Sequence, residues 1–457
     1  MAARVNYGAT RTPHVVIMNG DIVEWLKSNA IDEIEALVPD IAGVARGKFI
    51  PASKFLAQDI RLPESIFIQA VNGEYVDLFE TDRDMVLKPD LSTFRVVPWA
   101  IEKTACVIGE CFRHGGQPIE IAPRQVLRKV LAAYEERGWR PLVAPEVEFY
   151  LVKKNTDPDY PLEPPVGRSG RQEAAGKPFS IDAVNEFDPL FEDIYDFCEA
   201  MRIGAESLSH EDGAGQLEVN FNHGDPLELA DQVFLFKRLV REAAHKHGMY
   251  ATFMAKPMGR QPGSALHLHQ SIVSMQDGRN LFGEADGSDT PLFRHFIAGH
   301  QRYVPECLLI FGPYVNSYRR FTRFYSAPIN IHWGYDNRTV GLRVPASGPE
   351  NRRVENRVSG ADVNPYLAIA ASLACGYLGM VEELTPTDPL EGSAYQLPAT
   401  LSQDMFAARE ELRACKPIRA LLGEAFVDIY CDIKRIEHDT YFQVISPWER
   451  EYLLLNV

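Results

Sequence analysis

The segment that decides the fold reads Pro145-Glu146-Val147-Glu148-Phe149-Tyr150-Leu151, with one apolar residue between two glutamates. In a β-strand, residues i and i+2 point to the same face, so both carboxylates lie on one side. The same period recurs in three later segments, which read Gln216-Leu217-Glu218-Val219-Asn220-Phe221, Leu266-His267-Leu268-His269 and Arg353-Val354-Glu355-Asn356-Arg357. We therefore expect four strands of one sheet that gather polar side chains around a single pocket, namely Glu146, Glu148, Glu218, Glu355, His267, His269, Arg353 and Arg357.

The acidic residues of this set predict a metal site. Carboxylates massed in a partly buried pocket repel one another unless a cation holds them. The set comprises these four glutamates and Glu211, and His267 is the expected nitrogen ligand. Such oxygen-rich ligation suits Mg²⁺ or Mn²⁺ rather than zinc. A solvated strand face would explain any one glutamate equally well, but it explains the whole set poorly, because core residues flank it.

A second set is basic and consists of Arg319, Arg320, Arg338, Arg343, Arg352, Arg353 and Arg357. Arginine binds phosphate or carboxylate in a bidentate way and stays charged at any working pH. Surface salt bridges would account for Arg319 or Arg352, but not for the arginines on either side of Glu355. A divalent metal combined with arginines is typical of phosphoryl transfer. The sequence has no P-loop and no kinase glycine loop, so the nucleotide site must be of another type.

Composition indicates a soluble cytoplasmic protein. The chain has 457 residues, 46% hydrophobic and 24% charged, and a formal net charge of −16, which argues against nonspecific nucleic-acid binding. Its 7 cysteines form no C-x-x-C pair and are predicted to be reduced thiols. The N-terminus lacks the apolar region of a secretory signal, and the weakly polar run 366–381 is too short to span a membrane.

The predicted fold class is α+β, with an antiparallel sheet that has one polar face and is backed by helices. Gly and Pro cluster at 109–123, so we expect two units, 1–113 and 114–457. In the first, mostly β unit we predict a helix at 15–27 and a strand at 31–38. A turn at 39–48 then leads into a second strand, and a further strand is expected at 73–79. The second unit has a predicted surface loop at 155–178 and predicted helices at 123–137, 187–202, 229–247, 366–381, 403–414 and 418–436.

The sequence resembles the glutamine synthetase superfamily over nearly its whole length, on motifs that begin at Asp40. The N-terminal motifs are Asp40-x-x-Gly43-x-x-Arg46-Gly47-Lys48, Asp84-Met85-x-Leu87-x-Pro89-Asp90 and Pro98-Trp99. The later motifs are Glu146-x-Glu148-Phe149, His210-Glu211, Gly215-Gln216-x-Glu218, Lys256-Pro257, His267-x-His269-x-Ser271, Asn316-Ser317-Tyr318-x-Arg320, Asn337-Arg338, Arg353-Val354-Glu355-x-Arg357 and Asn364-Pro365-Tyr366. Order, spacing and residue type agree throughout, so the match is specific.

The resemblance implies a small β-grasp-like N-terminal domain, a large catalytic domain with a curved antiparallel sheet, and two metals in an active-site funnel. By similarity, one metal would be bound by Glu148, Glu211 and Glu218, and the other by Glu146, His267 and Glu355. The remaining residues would contact ATP (His269, Ser271, Arg353), glutamate (Gly263, Arg320, Arg357) and the transferred phosphoryl group (Arg338, Arg343). In the family reaction, ATP phosphorylates the γ-carboxylate of glutamate and an amine attacks the acyl phosphate. Family members form stacked rings, here expected to be a homo-dodecamer of two hexamers, in which a neighbour's N-terminal domain completes each site.

The sequence departs from the ammonia-using members at two places. Their D-G-S-S-like segment corresponds to Leu62-Pro63-Glu64-Ser65-Ile66-Phe67, and their flap glutamate is replaced by Ser326. A neutral serine cannot hold ammonium by charge and its hydroxyl is a poor base. The economical hypothesis is a ligase of the γ-glutamylpolyamine and γ-glutamylmonoamine synthetase branch, which joins glutamate to a primary amine. For a diamine, the distant ammonium would need an anion, and the candidates are Glu64, Asp77, Glu80 and Asp82.

Two other readings stay open: a true glutamine synthetase and a catalytically inactive homologue. Restoring glutamate at position 326 should change little in the former, and the latter should release no ADP. Tyr395-Gln396-Leu397-Pro398 resembles a segment that some bacterial members adenylylate, but the match is short, and we expect an exposed loop tyrosine there.

Overall fold

The computed structural model of the chain describes residues 22–77, 81–323 and 327–457. Its strands are β1 (Glu33–Pro39), β2 (Ala45–Pro51), β3 (Ile60–Pro63), β4 (Asp84–Pro89), β5 (Arg95–Val96), β6 (Thr104–Phe112), β7 (Trp139–Lys153), β8 (Ala205–His210), β9 (Gln216–Phe221), β10 (Met249–Thr252), β11 (Leu266–Ser274), β12 (Trp333–Tyr335), β13 (Leu342–Val344) and β14 (Val354–Asn356). Its α-helices are α1 (Ile22–Ser28), α2 (Ala52–Phe55), α3 (Pro123–Glu135), α4 (Ile181–Asn185), α5 (Asp188–Ala200), α6 (Pro226–Lys246), α7 (Pro291–Tyr303), α8 (Leu308–Phe311), α9 (Val315–Tyr318), α10 (Pro365–Val381), α11 (Met405–Ala414), α12 (Lys416–Leu422), α13 (Glu424–Tyr441) and α14 (Pro447–Leu453).

The strands form two sheets. The first has the order β2-β1-β6-β4-β3, with β5 also on β6, and its β1–β6 pair is parallel. The second is a curved sheet with the order β12-β13-β14-β11-β7-β9-β8, and β10 also pairs with β7. The expected antiparallel sheet is confirmed except at its edge, where β12 runs parallel to β13. The four strands expected from the repeated period, β14, β11, β7 and β9, are consecutive in it.

Helices cover the apolar face of the second sheet and build the core. Helix α6 packs on β7 and β10, and α3 packs on β7. The rings of Phe149 on β7 and Phe236 on α6 lie 6.3 Å apart. Helix α10 is buried along almost its whole length among α3, α6 and α7, and begins as the sequence predicts: the Asn364 side chain accepts hydrogen bonds from the backbone N–H of Tyr366 and Leu367. No helix in the described ranges has the length and apolar character needed to cross a bilayer.

Two predicted elements are wrong. Residues 73–77, the described part of the expected strand 73–79, form only an isolated bridge between Tyr75 and Gln69. Ala70 N–H donates to Glu74 O at 2.8 Å and Gly73 has φ +89°, so a tight turn takes up the residues that a strand would need. The helix expected at 418–436 is two helices, α12 and α13, because Gly423 has φ +112° and interrupts the helical backbone. The expected helix at 15–27 falls mostly outside the described residues, and its described part belongs to α1.

Candidate active site

The strand register brings the expected side chains onto one face of the second sheet. Glu148 on β7 lies opposite Glu218 on β9, and Glu146 lies opposite His267 on β11. Glu355 on β14 lies between its partners His269 on β11 and Arg343 on β13. The period of two therefore predicts correctly which residues share a face, and the antiparallel pairing sets them side by side.

One end of this face carries Glu148, Glu211 and Glu218, which form no ion pair within the described residues. Glu148 accepts hydrogen bonds from Ala265 N–H at 2.8 Å and from the Gln216 side-chain amide at 3.1 Å. Burial raises the pKa of Glu148 to about 8 and that of Glu218 to about 9, with neighbouring carboxylates adding to both shifts. Burial and then Asp212 raise the pKa of Glu211 to about 7. Such a cluster fits a divalent cation, whose charge would stabilise the ionised carboxylates.

The other end combines acids with imidazoles and arginines. Glu146 accepts hydrogen bonds from His269 Nε2 at 2.8 Å and His267 Nδ1 at 3.4 Å, which lower its pKa against the effect of burial. Burial alone would raise the pKa of Glu355, but Arg357, which donates a hydrogen bond to it, and the two imidazoles lower the value to about 2. Burial and next Arg357 lower the pKa of His267 to about 4, so its ring is neutral at pH 7, as a ligand must be.

Two groups of donor atoms lie close enough to share an ion. The atoms of Glu146, His267 and Glu355 all lie within 4.8 Å of one another, and so do those of Glu148, Glu218 and His267. The first group has the same three residues as one of the ligand sets expected from the family resemblance. In the second, His267 stands where Glu211 was expected, whereas Glu211 lines the same cavity without belonging to either close group.

The first of two adjoining cavities has a volume of about 350 Å³ and holds the residues expected at glutamate and at the transferred phosphoryl group. They are Gly263, Arg320, Arg338, Arg343 and Arg357, and they line it together with Glu146, Glu148, Glu211, Glu218 and His267. Arg320 is buried and its guanidinium donates to Val358 O at 2.7 Å and Arg357 O at 2.9 Å; burial lowers its pKa to about 10. Arg343 bridges Glu355 at 3.0 Å and Asp336 at 2.5 Å. The wall also includes apolar residues, among them Pro178, Phe179 and Ala327.

The second cavity, of about 410 Å³, holds the residues expected at ATP, namely His269, Ser271 and Arg353. Arg353 Nε donates to His269 Nδ1 at 3.3 Å, which leaves Nε2 of the same ring to donate to Glu146. Glu146 and Asn220 line both cavities, so the two spaces meet at β7 and β9.

Several expected residues lie elsewhere. Glu64 is buried against Arg113, with Arg113 Nε donating at 2.9 Å, and the described lining of either cavity does not include it. Asp82 accepts two hydrogen bonds from Ser65. Arg319 donates to Tyr441 and Arg352 pairs with Asp289, so neither lines the two cavities.

Position 395 differs from expectation, and two expected positions cannot be placed. Tyr395 is half-buried rather than exposed, and burial raises its pKa. Ser326 and Glu80 fall outside the described residues.

Sequence reasoning gave no role to two amides on the same face. Gln216 hydrogen-bonds to Glu148, and Asn220 Nδ2 donates to Glu218 at 3.3 Å. The signal was present, because residues 216, 218 and 220 continue one period of two.

Comparisons with known proteins agree with this geometry. Residues 120–453 match the family described as glutamine synthetase, catalytic domain. The chain is similar to gamma-glutamylputrescine synthetase of Escherichia coli (strain K12), with 35% identity over 93% of this chain and 92% of that protein. It is also similar to glutamate–isopropylamine ligase of a Pseudomonas species (34%; 93% and 95%) and to glutamine synthetase of Pyrococcus abyssi (33%; 97% and 94%). A solved structure described as apo GmaS without ligand superposes with a TM-score of 0.81 at 26% identity, over 95% of this chain and 99% of that one.

Proposed function

This chain belongs to the glutamine synthetase family of carbon–nitrogen ligases, and from that premise we propose that it joins the γ-carboxylate of L-glutamate to an alkyl primary amine. Members of the family are ATP-dependent and use divalent metal ions. In the proposed reaction the γ-carboxylate attacks the terminal phosphorus of ATP, ADP leaves, and the amine then displaces phosphate from the γ-glutamyl phosphate. A carboxylate needs this activation, since its oxygen is otherwise a poor leaving group.

The chain's own residues supply the parts of such a site. We assign Glu148, Glu211 and Glu218 to one metal, with His267 next to them, and Glu146, His267 and Glu355 to the other. Bound Mg²⁺ or Mn²⁺ would offset the negative charge of the phosphates and of the carboxylates. The raised pKa values of Glu148, Glu211 and Glu218 support the first site. The close approach of the donor atoms of Glu146, His267 and Glu355 supports the second.

The arginines and the second cavity complete the proposed site. Arg320 and Arg357, with Gly263 beside them, would hold glutamate, and Arg338 and Arg343 would face the transferred phosphoryl group. Arg338 is exposed at the cavity wall, and its positive charge acts on Glu211. His269, Ser271 and Arg353 would contact ATP, and Glu146 is placed to link the nucleotide space to the metals because it lines both cavities.

The observation that carries the choice of an alkylamine is the serine at position 326, where the ammonia-using members have their flap glutamate. In the described residues, the wall of the first cavity includes the apolar side chains of Pro178, Phe179 and Ala327 as well as acidic ones. An alkyl group gains from contact with such a wall, whereas ammonium does not. Ser326 itself would leave room for the chain. The relatives named for putrescine and isopropylamine support the same choice.

A panel of amines tests the proposal. ADP release would be measured at fixed glutamate and ATP with ammonium, methylamine, isopropylamine and putrescine. We expect kcat/KM for the best alkylamine to exceed that for ammonium by about tenfold or more, since each apolar contact of this kind discriminates by about 10- to 200-fold. Ammonium turned over as well as any alkylamine would support the second candidate, an ammonia-using glutamine synthetase, which the Pyrococcus relative favours.

Ser326 offers a matched pair of variants. Ser326→Glu restores a carboxylate and should shift the ratio of kcat/KM values toward ammonium, while Ser326→Ala, which adds no charge, should leave that ratio near that of the unaltered enzyme. An unchanged ratio in both variants would remove Ser326 from amine selection.

The larger organisation belongs to the same proposal. We propose an N-terminal domain 1–113 and a catalytic domain 114–457, assembled as a homo-dodecamer of two hexameric rings. A neighbour's N-terminal domain would then bring Glu64, Asp77, Glu80 or Asp82 to the far end of a diamine. A cytoplasmic location is part of the proposal, because the cysteines at 106, 111, 198, 307, 375, 415 and 431 are buried free thiols.

A further inference from the structure

Glu173 is a buried carboxylate in the long Pro- and Gly-rich segment between β7 and α4, where most side chains are exposed. Its two oxygens lie 3.0 and 3.1 Å from Nε2 of His210, and one of them accepts the backbone N–H of Gly215 at 2.6 Å. Burying a carboxylate is costly unless several donors satisfy it. All of these donors belong to the segment 210–215, which leads from β8 to β9 and carries Glu211.

The ring of His210 connects Glu173 to the backbone of Glu211. His210 is completely buried, and its Nδ1 lies 2.8 Å from Glu211 O. A carbonyl and a carboxylate are both acceptors, so a ring that donates from both nitrogens, paired with Glu173, satisfies the two contacts. The carboxylate, the ring and the Glu211 carbonyl thus form one continuous chain of charge-assisted contacts.

Three further contacts hold the same loop against the same segment. Phe179 N–H donates to His210 O at 2.9 Å. A Cβ added at Gly176 would lie 1.8 Å from Asp212 O, so the two backbones touch there, and a Cβ at Gly215 would lie 2.8 Å from Pro165. The loop therefore lies along the backbone of the segment, and Glu173 contributes a carboxylate to this contact.

The segment 210–215 in turn positions the carboxylates that face the proposed metal site. Gly213 N–H donates to the Gln216 side-chain oxygen at 2.9 Å, and the nitrogen of that amide donates to Glu148. Glu211 lies at one end of the segment, and Glu218 follows on β9. A shift of the 213–215 turn would therefore move Glu211, Glu218 and the Gln216 amide that contacts Glu148.

We propose that Glu173 is a positioning residue for the metal site, which acts through His210 and Gly215 to hold Glu211, Gln216 and Glu218 in place. The proposal rests on the metal role assigned above to Glu211 and Glu218, and it is independent of which amine is used. Outer partners of metal ligands typically change metal affinity by about 10- to 100-fold when removed. The loop would thus take part in metal binding although it offers no ligand of its own.

The test is a titration of the metal-free protein with Mn²⁺, in which free Mn²⁺ is followed by its electron paramagnetic resonance signal. Glu173→Ala should weaken binding by about 10- to 100-fold. Glu173→Gln should bind nearly as well as the unaltered protein, because its amide can donate to a neutral His210 ring while its oxygen still accepts from Gly215. The matched control is Glu163→Ala, which removes an exposed glutamate of the same loop that pairs with Lys153 at 2.6 Å and should leave Mn²⁺ affinity unchanged.

Unchanged Mn²⁺ affinity in Glu173→Ala, with only a lower melting temperature, would overturn the proposal, as would a Gln variant as weak as the Ala variant. If Glu173→Ala does not fold, Glu173→Asp is titrated instead, and full affinity there would count against the proposal. Glu218→Gln in the same titration tests the assigned metal site separately from the positioning role of Glu173. Full Mn²⁺ affinity in Glu218→Gln would contradict the assigned metal site itself.

Discussion

Glu148 and Glu218 face each other across β7 and β9, and in the part of the chain that the structure describes neither forms an ion pair with a basic side chain. Glu355, on the same face, contacts Arg343 and Arg357. This difference in partners separates their pKa values, which lie near 8 and 9 for the first two and near 2 for the third. The two glutamates without a direct ion pair in the described residues are the ones with the greatest need of a metal ion.

Gly263 is placed where a single methyl group would disturb the proposed glutamate site. A Cβ there would lie 2.6 Å from Cγ of Arg320 and 2.7 Å from Ala255 O. Gly263→Ala must therefore push Arg320 aside, and an overpacking cost of about 1–3 kcal/mol, expressed in glutamate binding, corresponds to a rise in the KM for glutamate of about 5- to 150-fold. The KM for ATP should change little. Steady-state kinetics with glutamate varied at saturating ATP measures both effects.

Gly259 provides the control for this substitution, because a Cβ at that position meets no atom within 4 Å. Gly259→Ala should have the kinetics of the unaltered enzyme. Equal changes in both KM values for Gly263→Ala would argue against a specific role in binding glutamate.

At the scale of the elements, β7 organises the site. It is 15 residues long, pairs with β9, β10 and β11, and turns Glu146 and Glu148 to one face while Val147, Phe149 and Leu151 face the helices. The apolar side is held by α6 and α3, so the polar side can be given over to charge. Buried polar groups on the helices must then find their hydrogen-bond partners within the core.

His300 on α7 is such a group and makes the stability of the α7–α10 contact dependent on pH. It is fully buried, with Nδ1 2.9 Å from Phe296 O and Nε2 3.2 Å from the Ser372 hydroxyl of α10. Burial lowers its pKa from 6.5 to about 4. Between these values the unfolded chain binds a proton that the folded protein does not, so stability falls as pH drops from 6.5 to 4, by up to about 3 kcal/mol.

Melting temperatures recorded from pH 7.5 to pH 4.5 check this prediction. His300→Gln should melt lower at pH 7.5, yet lose less on acidification than the unaltered protein. Substituting the exposed His114 in the same way should leave the acid profile as it was. Parallel profiles for the unaltered protein and His300→Gln would rule out the contribution of His300.

At the scale of the whole molecule, one buried arginine joins the first sheet to the helices behind the second. Arg124 on α3 donates to Asp231 on α6 at 2.8 and 3.0 Å, to Glu110 on β6 at 2.5 Å and to Asp90 after β4 at 3.0 Å. Tyr366 of α10 also donates to Asp231, at 2.6 Å. Four elements and the end of β4 therefore meet at one guanidinium.

Removing this guanidinium should weaken the whole molecule. Arg124→Met removes the cation from the buried Asp231, whereas Glu110 and Asp90 still pair with Arg128. Breaking a buried pair by removing one partner costs about 3–5 kcal/mol. Arg128 lies one turn further along α3 and pairs with the same Glu110, but its side chain is 44% exposed, so Arg128→Met should cost less than about 1 kcal/mol. Melting temperatures of the two variants decide, and similar losses in both would contradict a central role for Arg124.

Much of this organisation could be predicted from short-range pattern. The period of two at 146–148, 216–220, 267–269 and 353–357 specified which residues share a face, and Asn364-Pro365 specified the start of α10. Strand β6 was missed because Thr104–Phe112 is buried almost throughout and shows no alternation. The split at Gly423 was missed because the apolar spacing continues across it.

The sequence by itself determined the fold class, the family and the inventory of charged groups, because periodicity and motif spacing are properties of neighbouring residues. Only the tertiary structure decided how the charges differ. Whether a glutamate has a pKa near 9 or near 2 depends on burial and on arginines that are distant in the chain. The contact of Glu173 with His210 and Gly215 is likewise decided only by the tertiary structure. It joins residues 37 or more positions apart, which no local pattern records.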